Sequence, residues 1–168
     1  MSFKELDMFN SRFSLPSFLG TAFLAALGAV LVPGASMAAG PTVIELTQVP
    51  CQFLESEGGK NRAYRSSRKE DCEAINAKTA TERLAQAKPI VLKPGQYIFR
   101  VTNRDVPYEL GFWLRGAGLA GRITLPSVSG GGLTTGKTQD YRIELKAGEY
   151  LYSCPLNTTP DYRLIVES

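Results

Sequence analysis

The residue with the widest chemical repertoire is Cys154. It lies in the run Gly148-Glu149-Tyr150-Leu151-Tyr152-Ser153-Cys154-Pro155-Leu156-Asn157, and Tyr162-Arg163-Leu164-Ile165-Val166 follows. The spacing predicts a strand that delivers a thiol into a short loop, from which the chain returns as a final strand. A thiol so placed could ligate a soft metal, attack an electrophile or exchange with a disulfide. All three require the thiolate, which a neighbouring cation or imidazole favours. The chain has no histidine, its three methionines are Met1, Met8 and Met37, and no cation adjoins Cys154 in sequence. Ser/His/Asp catalysis and histidine-based zinc sites are thereby excluded. No glycine-rich phosphate loop leads from a strand into a helix. The expectation is a protein that is not an enzyme, with no small-molecule substrate in evidence.

The elements around Cys154 read as β. Thr42 to Thr47 is a first strand rich in β-branched residues. Gln96 to Thr102 alternates, with Tyr97, Phe99 and Val101 facing one way. Pro107 to Leu114 is apolar and aromatic, and Phe112-Trp113-Leu114 reads as core with one ring available as an interface anchor. Arg122 to Leu125 is a possible short strand, and Gly130-Gly131-Gly132 reads as a flexible connection. Leu92-Lys93-Pro94-Gly95-Gln96-Tyr97 is echoed by Leu145-Lys146-Ala147-Gly148-Glu149-Tyr150, which predicts two equivalent turns. Several short strands with regular turn signals indicate an all-β sandwich or barrel.

Residues 51–88 differ in composition. Glu57-Gly58-Gly59-Lys60-Asn61 is turn-like, and Asp71 to Ala87 is rich in helix formers. The segment reads as a short helical insertion between the first strands. A Cys51–Cys72 disulfide would close it with a gain of about 3 kcal/mol in the chain-entropy model. The three cysteines permit any one of three pairings. Cys154 is then a small buried hydrophobe, a partly accessible thiol, or the partner of Cys51 or Cys72.

The net charge of +3 is too small to argue for nucleic acid, and no base-reading motif is present. Leu15 to Val32 is mostly apolar, Lys4 and Arg12 precede it, and Ser36-Met37-Ala38 carries small residues at the peptidase positions. Residues 1–38 are therefore expected to be a signal peptide, or an uncleaved anchor. Residues 39–168 form a single periplasmic or secreted domain, membrane-anchored if the run is retained. Two local patterns stand apart. Lys60, Arg62, Arg65, Arg68 and Lys69 form a basic patch suited to an acidic partner, against a plainer reading as a solvated loop balanced by Glu70, Asp71 and Glu73. Asn157-Thr158-Thr159 fits the glycosylation acceptor pattern.

Three segments match a known family in order: Pro94-Gly95-Gln96-Tyr97-Ile98-Phe99-Arg100-Val101-Thr102-Asn103, then Pro107-Tyr108-Glu109-Leu110, then Gly148-Glu149-Tyr150-Leu151-Tyr152-Ser153-Cys154. Over about residues 89–168 the chain resembles the cupredoxins, the plastocyanin and azurin family. The resemblance implies a Greek-key β-sandwich. It also places the four copper-ligand positions at Tyr108, Cys154, Asn157 and, near the axial position, Pro160. A type-1 copper site needs two imidazoles and a thiolate with a weak axial thioether. Of that set only Cys154 remains, so no cofactor is expected. The implied function is a binding or accessory subunit of a periplasmic or membrane-associated complex. Its protein partner would meet a face formed by Tyr108, Glu109 and Asn157. The alternative is a copper-handling or electron-transfer protein using altered ligands around Cys154.

Overall fold

The inward alternation read at Tyr97, Phe99 and Val101 organises the first of two sheets. In the computed structural model, which describes residues 40–168, β1 (Thr42–Val49) runs parallel to β4 (Gly95–Asn103), with Thr42 opposite Tyr97 and Gln48 opposite Asn103. β2 (Gln52–Phe53) and β7 (Thr138–Leu145) flank them, in the order β2-β1-β4-β7. β3 (Ile90–Leu92), β9 (Tyr162–Val166), β8 (Gly148–Ser153), β5 (Leu110–Gly116) and β6 (Val128–Leu133) form the second sheet in that order. The β-sandwich expected from the cupredoxin resemblance is therefore present. The signal-peptide expectation for residues 1–38 lies outside the described residues.

The two inner faces meet in an aromatic core. Phe112 stacks on Phe99 with ring centroids 5.6 Å apart, and Phe53 meets Tyr152 edge-on at 5.7 Å. Such contacts add to the area term because ring edges and faces carry opposite partial charge. The outer face of the first sheet is held by charge: Arg100 on β4 donates to Asp140 across the ladder at 2.8 Å.

The repeated turn has a physical basis. The Tyr97 hydroxyl donates to the Lys93 carbonyl at 2.8 Å, and the Tyr150 hydroxyl donates to the Lys146 carbonyl at 2.9 Å. Both turns carry glycine at large positive φ, 155° at Gly95 and 152° at Gly148. A Cβ at Gly148 would lie 2.8 Å from a Leu125 methyl. The two turns occupy the same end of the sandwich, because residues 93–94 join β3 to β4 and residues 146–147 join β7 to β8.

Two local expectations fail. Residues 122–125, read as a strand, belong largely to α2 (Gly118–Thr124). This helix is tucked so close to the end of β5 that a Cβ on Gly116 would lie 2.2 Å from the Gly121 carbonyl oxygen. Backbone contact, invisible to side-chain patterning, selects the helix. Gly130-Gly131-Gly132, read as a flexible connection, is part of β6. A Cβ on Gly130 would meet the Tyr141 ring at 3.0 Å, so glycine there makes room for a core tyrosine.

The insertion contains β2, a 3-10 turn at Glu55–Glu57 and α1 (Lys69–Gln86). The Cys51–Cys72 disulfide is formed, with Cα atoms 4.9 Å apart. α1 buries only Cys72 and Arg83. It is therefore held by specific links more than by an apolar stripe.

Candidate functional site

The end of the sandwich opposite the two glycine turns gathers the end of β1, the start of β5 and the Cys154 loop. Cys154 follows β8 and is fully buried. Its Sγ accepts the N–H of Asn157 at 3.2 Å and that of Gly111 at 3.4 Å. Its own N–H donates to Thr159 Oγ1 at 2.9 Å. Burial pushes the thiol pKa up, and the backbone donors offset this only in part. Cys154 is thus a small buried group at the root of the loop, and its free thiol is poorly suited to attack.

Asn157 is equally buried and plugs the site. Its Nδ2 donates to the Val49 carbonyl at 2.9 Å, while its Oδ1 accepts the Cys51 N–H at 2.9 Å. The Cys72 Sγ lies 3.3 Å from the same oxygen. Cys51 reaches Asn157 through a left-handed backbone, φ 64°, so the local turn carries some strain. The Tyr108 hydroxyl closes the outside, 2.5 Å from Ser66 Oγ and 3.5 Å from Asn157 Oδ1. Burial raises the Tyr108 pKa despite the Ser66 hydrogen bond.

The expected binding face needs correction on this geometry. Asn157 has no exposed surface and contributes nothing to it. Its amide nitrogen is buried and engaged, so the acceptor pattern at 157–159 is closed to a glycosyltransferase in the folded domain. Tyr108 is half-buried and Glu109 is exposed, its carboxylate accepting the Gly132 N–H at 2.8 Å. Pro160 is buried. Within the basic patch, Arg62 is drawn inward to Glu57 at 2.5 Å, Lys69 pairs with Glu73 at 2.8 Å and Arg68 lies 3.7 Å from Asp71. Lys60 and Arg65 have no such ion pair among the described residues.

The chemistry around Cys154 does not fit type-1 copper. The thiol meets the neutral side-chain amide of Gln48 and the backbone N–H groups of Gly111 and Asn157. Asn157 Oδ1 is already committed to the Cys51 amide. Neutral amide oxygens are hard, weak donors for copper, whereas imidazoles supply the trigonal plane in such centres. Among the described residues no group of three His, Cys, Asp or Glu side chains converges.

Two features escape sequence reading. The first is a buried charge cluster joining the insertion to the sandwich. Glu57 Oε1 accepts Arg83 Nη2 at 2.6 Å and the Tyr162 hydroxyl at 2.6 Å. Arg83 Nη2 also donates to the Cys51 carbonyl at 2.9 Å. Burial would raise the Glu57 pKa, but hydrogen bonds from Arg83, Tyr162 and Arg62 outweigh it and hold the carboxyl below its ordinary value. Tyr162 is pushed up, first by its own burial and then by the bond to Glu57. Arg83 carries no local mark on a polar helix, so no signal in the sequence singles it out.

The second feature is an exposed apolar groove of about 400 Å³ beside the Cys154 loop, lined by Trp113, Gly130, Gly131, Pro155 and Leu156 among others. Trp113 is 36% exposed and is the one ring of that run to reach the surface, while Phe112 and Leu114 stay inside. The Arg115 guanidinium lies 4.0 Å over the indole ring and pairs with Asp161 at 2.7 Å. That stacking holds the indole in place.

The described residues thus define a two-sheet β-sandwich with a disulfide-closed helical insertion. No family model matches the chain, and no curated protein matches it. Among solved structures it is similar to Auracyanin B, determined in space group P65, with a TM-score of 0.47 and 11% identity. The alignment covers 76% of this chain and 89% of that one. A superposition this loose carries no argument about function, and the fold class stands on the two sheets themselves.

Proposed function

We propose that this is an exported, redox-silent cupredoxin-like domain that acts by binding a protein partner, as an accessory subunit of a periplasmic or membrane-associated complex. One observation carries the reading. The position where a reacting centre would sit is filled by Asn157, whose amide is consumed by Cys51 and Val49. What the same end offers to solvent is the groove between Trp113 and Leu156, each more than one-third exposed. An aromatic held by an arginine beside an aliphatic side chain is the composition of an interface anchor. The Cys51–Cys72 disulfide favours an oxidising compartment.

The test combines two measurements on the full chain. Copper is added and absorption and EPR spectra are recorded, while the protein and its Leu156→Asp variant are used to capture partners from periplasmic extract. The proposal expects no intense thiolate-to-copper band and one stoichiometric protein lost with the variant. A stoichiometric thiolate-to-copper band overturns it in favour of the electron-transfer alternative. Equal capture by both proteins overturns the assignment of the groove.

A further inference from the structure

The opposite end of the sandwich carries an apolar surface that the proposed function does not use. Leu119 and Ile123 of α2 are 79% and 75% exposed. Four residues apart on a helix, they project from the same face. α2 buries none of its own residues and exposes these two. Arg122 stands beside them and Lys146 lies in the neighbouring turn, and neither has an acidic partner within salt-bridge distance among the described residues. Glu149 at this end lies 3.5 Å from Arg163, and Glu167 lies 3.7 Å from Lys93.

The position of α2 is fixed by the ladders. Gly116 pairs with Tyr150, and the Ala117 N–H donates to the Glu149 carbonyl at 2.8 Å. α2 is therefore at the end marked by the Gly95 and Gly148 turns. The chain enters β1 at that same end, since Thr42 lies opposite Tyr97. The Trp113–Leu156 groove lies at the other end of the sandwich, a strand length away.

We infer that the α2 tip is a membrane contact: Leu119 and Ile123 enter the boundary between lipid headgroups and acyl chains, with Arg122 and Lys146 against the phosphates. Two side chains are too small a surface for a stable homodimer, which buries roughly 800 Å² on each partner. They suit an interfacial insertion, where apolar tips and adjacent cations act together. The contact would point the Trp113–Leu156 groove away from the bilayer, toward a partner approaching from the aqueous side.

The test uses the full chain reconstituted into phosphatidylcholine vesicles, with an environment-sensitive fluorophore on Leu119→Cys or, as a control, on Lys60→Cys. Lys60 belongs to the far end, where its carbonyl accepts the Gln52 side chain at 2.9 Å. Labelling without reductant spares the Cys51–Cys72 disulfide and the buried Cys154. The inference expects a blue-shifted probe at position 119, quenched by brominated acyl chains, and an unquenched probe at position 60. The same probe on Leu119→Cys, in the background of Ile123→Asp, should lose about tenfold of that quenching as the tip lifts away. Equal quenching at the two positions, a chain that does not float with the vesicles, or a dimer cross-linked through the thiol of the Leu119→Cys variant overturns it. Ile123→Asp should leave partner capture through Leu156 unchanged, so the two proposals fail separately.

Discussion

Replacing Glu57 by Gln isolates the charge cluster that fastens the insertion. The substitution keeps size and shape and removes the only carboxylate in contact with Arg83 among the described residues, and the Arg83 side chain is fully buried. One oxygen can still accept from Arg83 and Tyr162, but an amide NH₂ then faces the Arg62 Nε, donor against donor, or the reverse orientation sets it against Arg83. The guanidinium keeps the Cys51 carbonyl and the Asn76 side chain as partners, neither of them charged. Removing one member of a buried ion pair costs about 3–5 kcal/mol. For a domain of this size that is a fall in Tm of roughly 10–15 °C. Denaturant melts at pH 7 measure it directly. The pH dependence adds a second signature. Glu57 is depressed in the fold, so its stabilising effect is complete above the ordinary carboxylate pKa and is lost as pH falls through the lower folded value. The wild-type protein should therefore lose stability on acidification more steeply than Glu57→Gln. A variant within about 1 kcal/mol of wild type, with an unchanged acid slope, would refute the reasoning, since that is the range of an exposed pair. The double replacement Glu57→Leu with Arg83→Met should be less damaging than either single one, because no fully buried charge is left unpaired and Arg62 keeps access to water.

Two further outcomes follow from the same geometry. Changing Cys51 and Cys72 together to Ala removes a crosslink across 21 positions and should cost about 3 kcal/mol; amide exchange should show α1 losing protection before the sheets do. Cys154 should resist alkylation at neutral pH and react fully only after denaturation, because burial both shields the thiol and raises its pKa; rapid native labelling would show that the loop opens.

Most of the β framework is legible along the chain. Tyr97, Phe99 and Val101 alternate with polar residues because one face of β4 packs inward and the other meets solvent, and period-two patterning reports that directly. The paired Lys-x-Gly-x-Tyr turns are legible too, though the reason, a tyrosine hydroxyl on the lysine carbonyl four residues back, is seen only in space. Glycine-rich stretches mislead. At 116, 121 and 130 the missing side chain serves close backbone or ring contact, which reads in one dimension as flexibility.

At the Cys154 end the division is sharper. Composition alone establishes that no imidazole is available for the trigonal plane of a type-1 copper set. The all-β class and the inserted helical segment are also determined locally. Tertiary structure decides what surrounds the thiol. Asn157 meets Cys51 across 106 residues and Arg83 meets Tyr162 across 79. Such contacts depend on how the insertion folds back over the sandwich, and no local pattern encodes that. The same holds for exposure. Asn157, expected on a binding face, is sealed inside, and Trp113 is the ring that reaches solvent. A side chain's chemistry is written in the sequence, but whether water reaches it is settled only when distant segments pack.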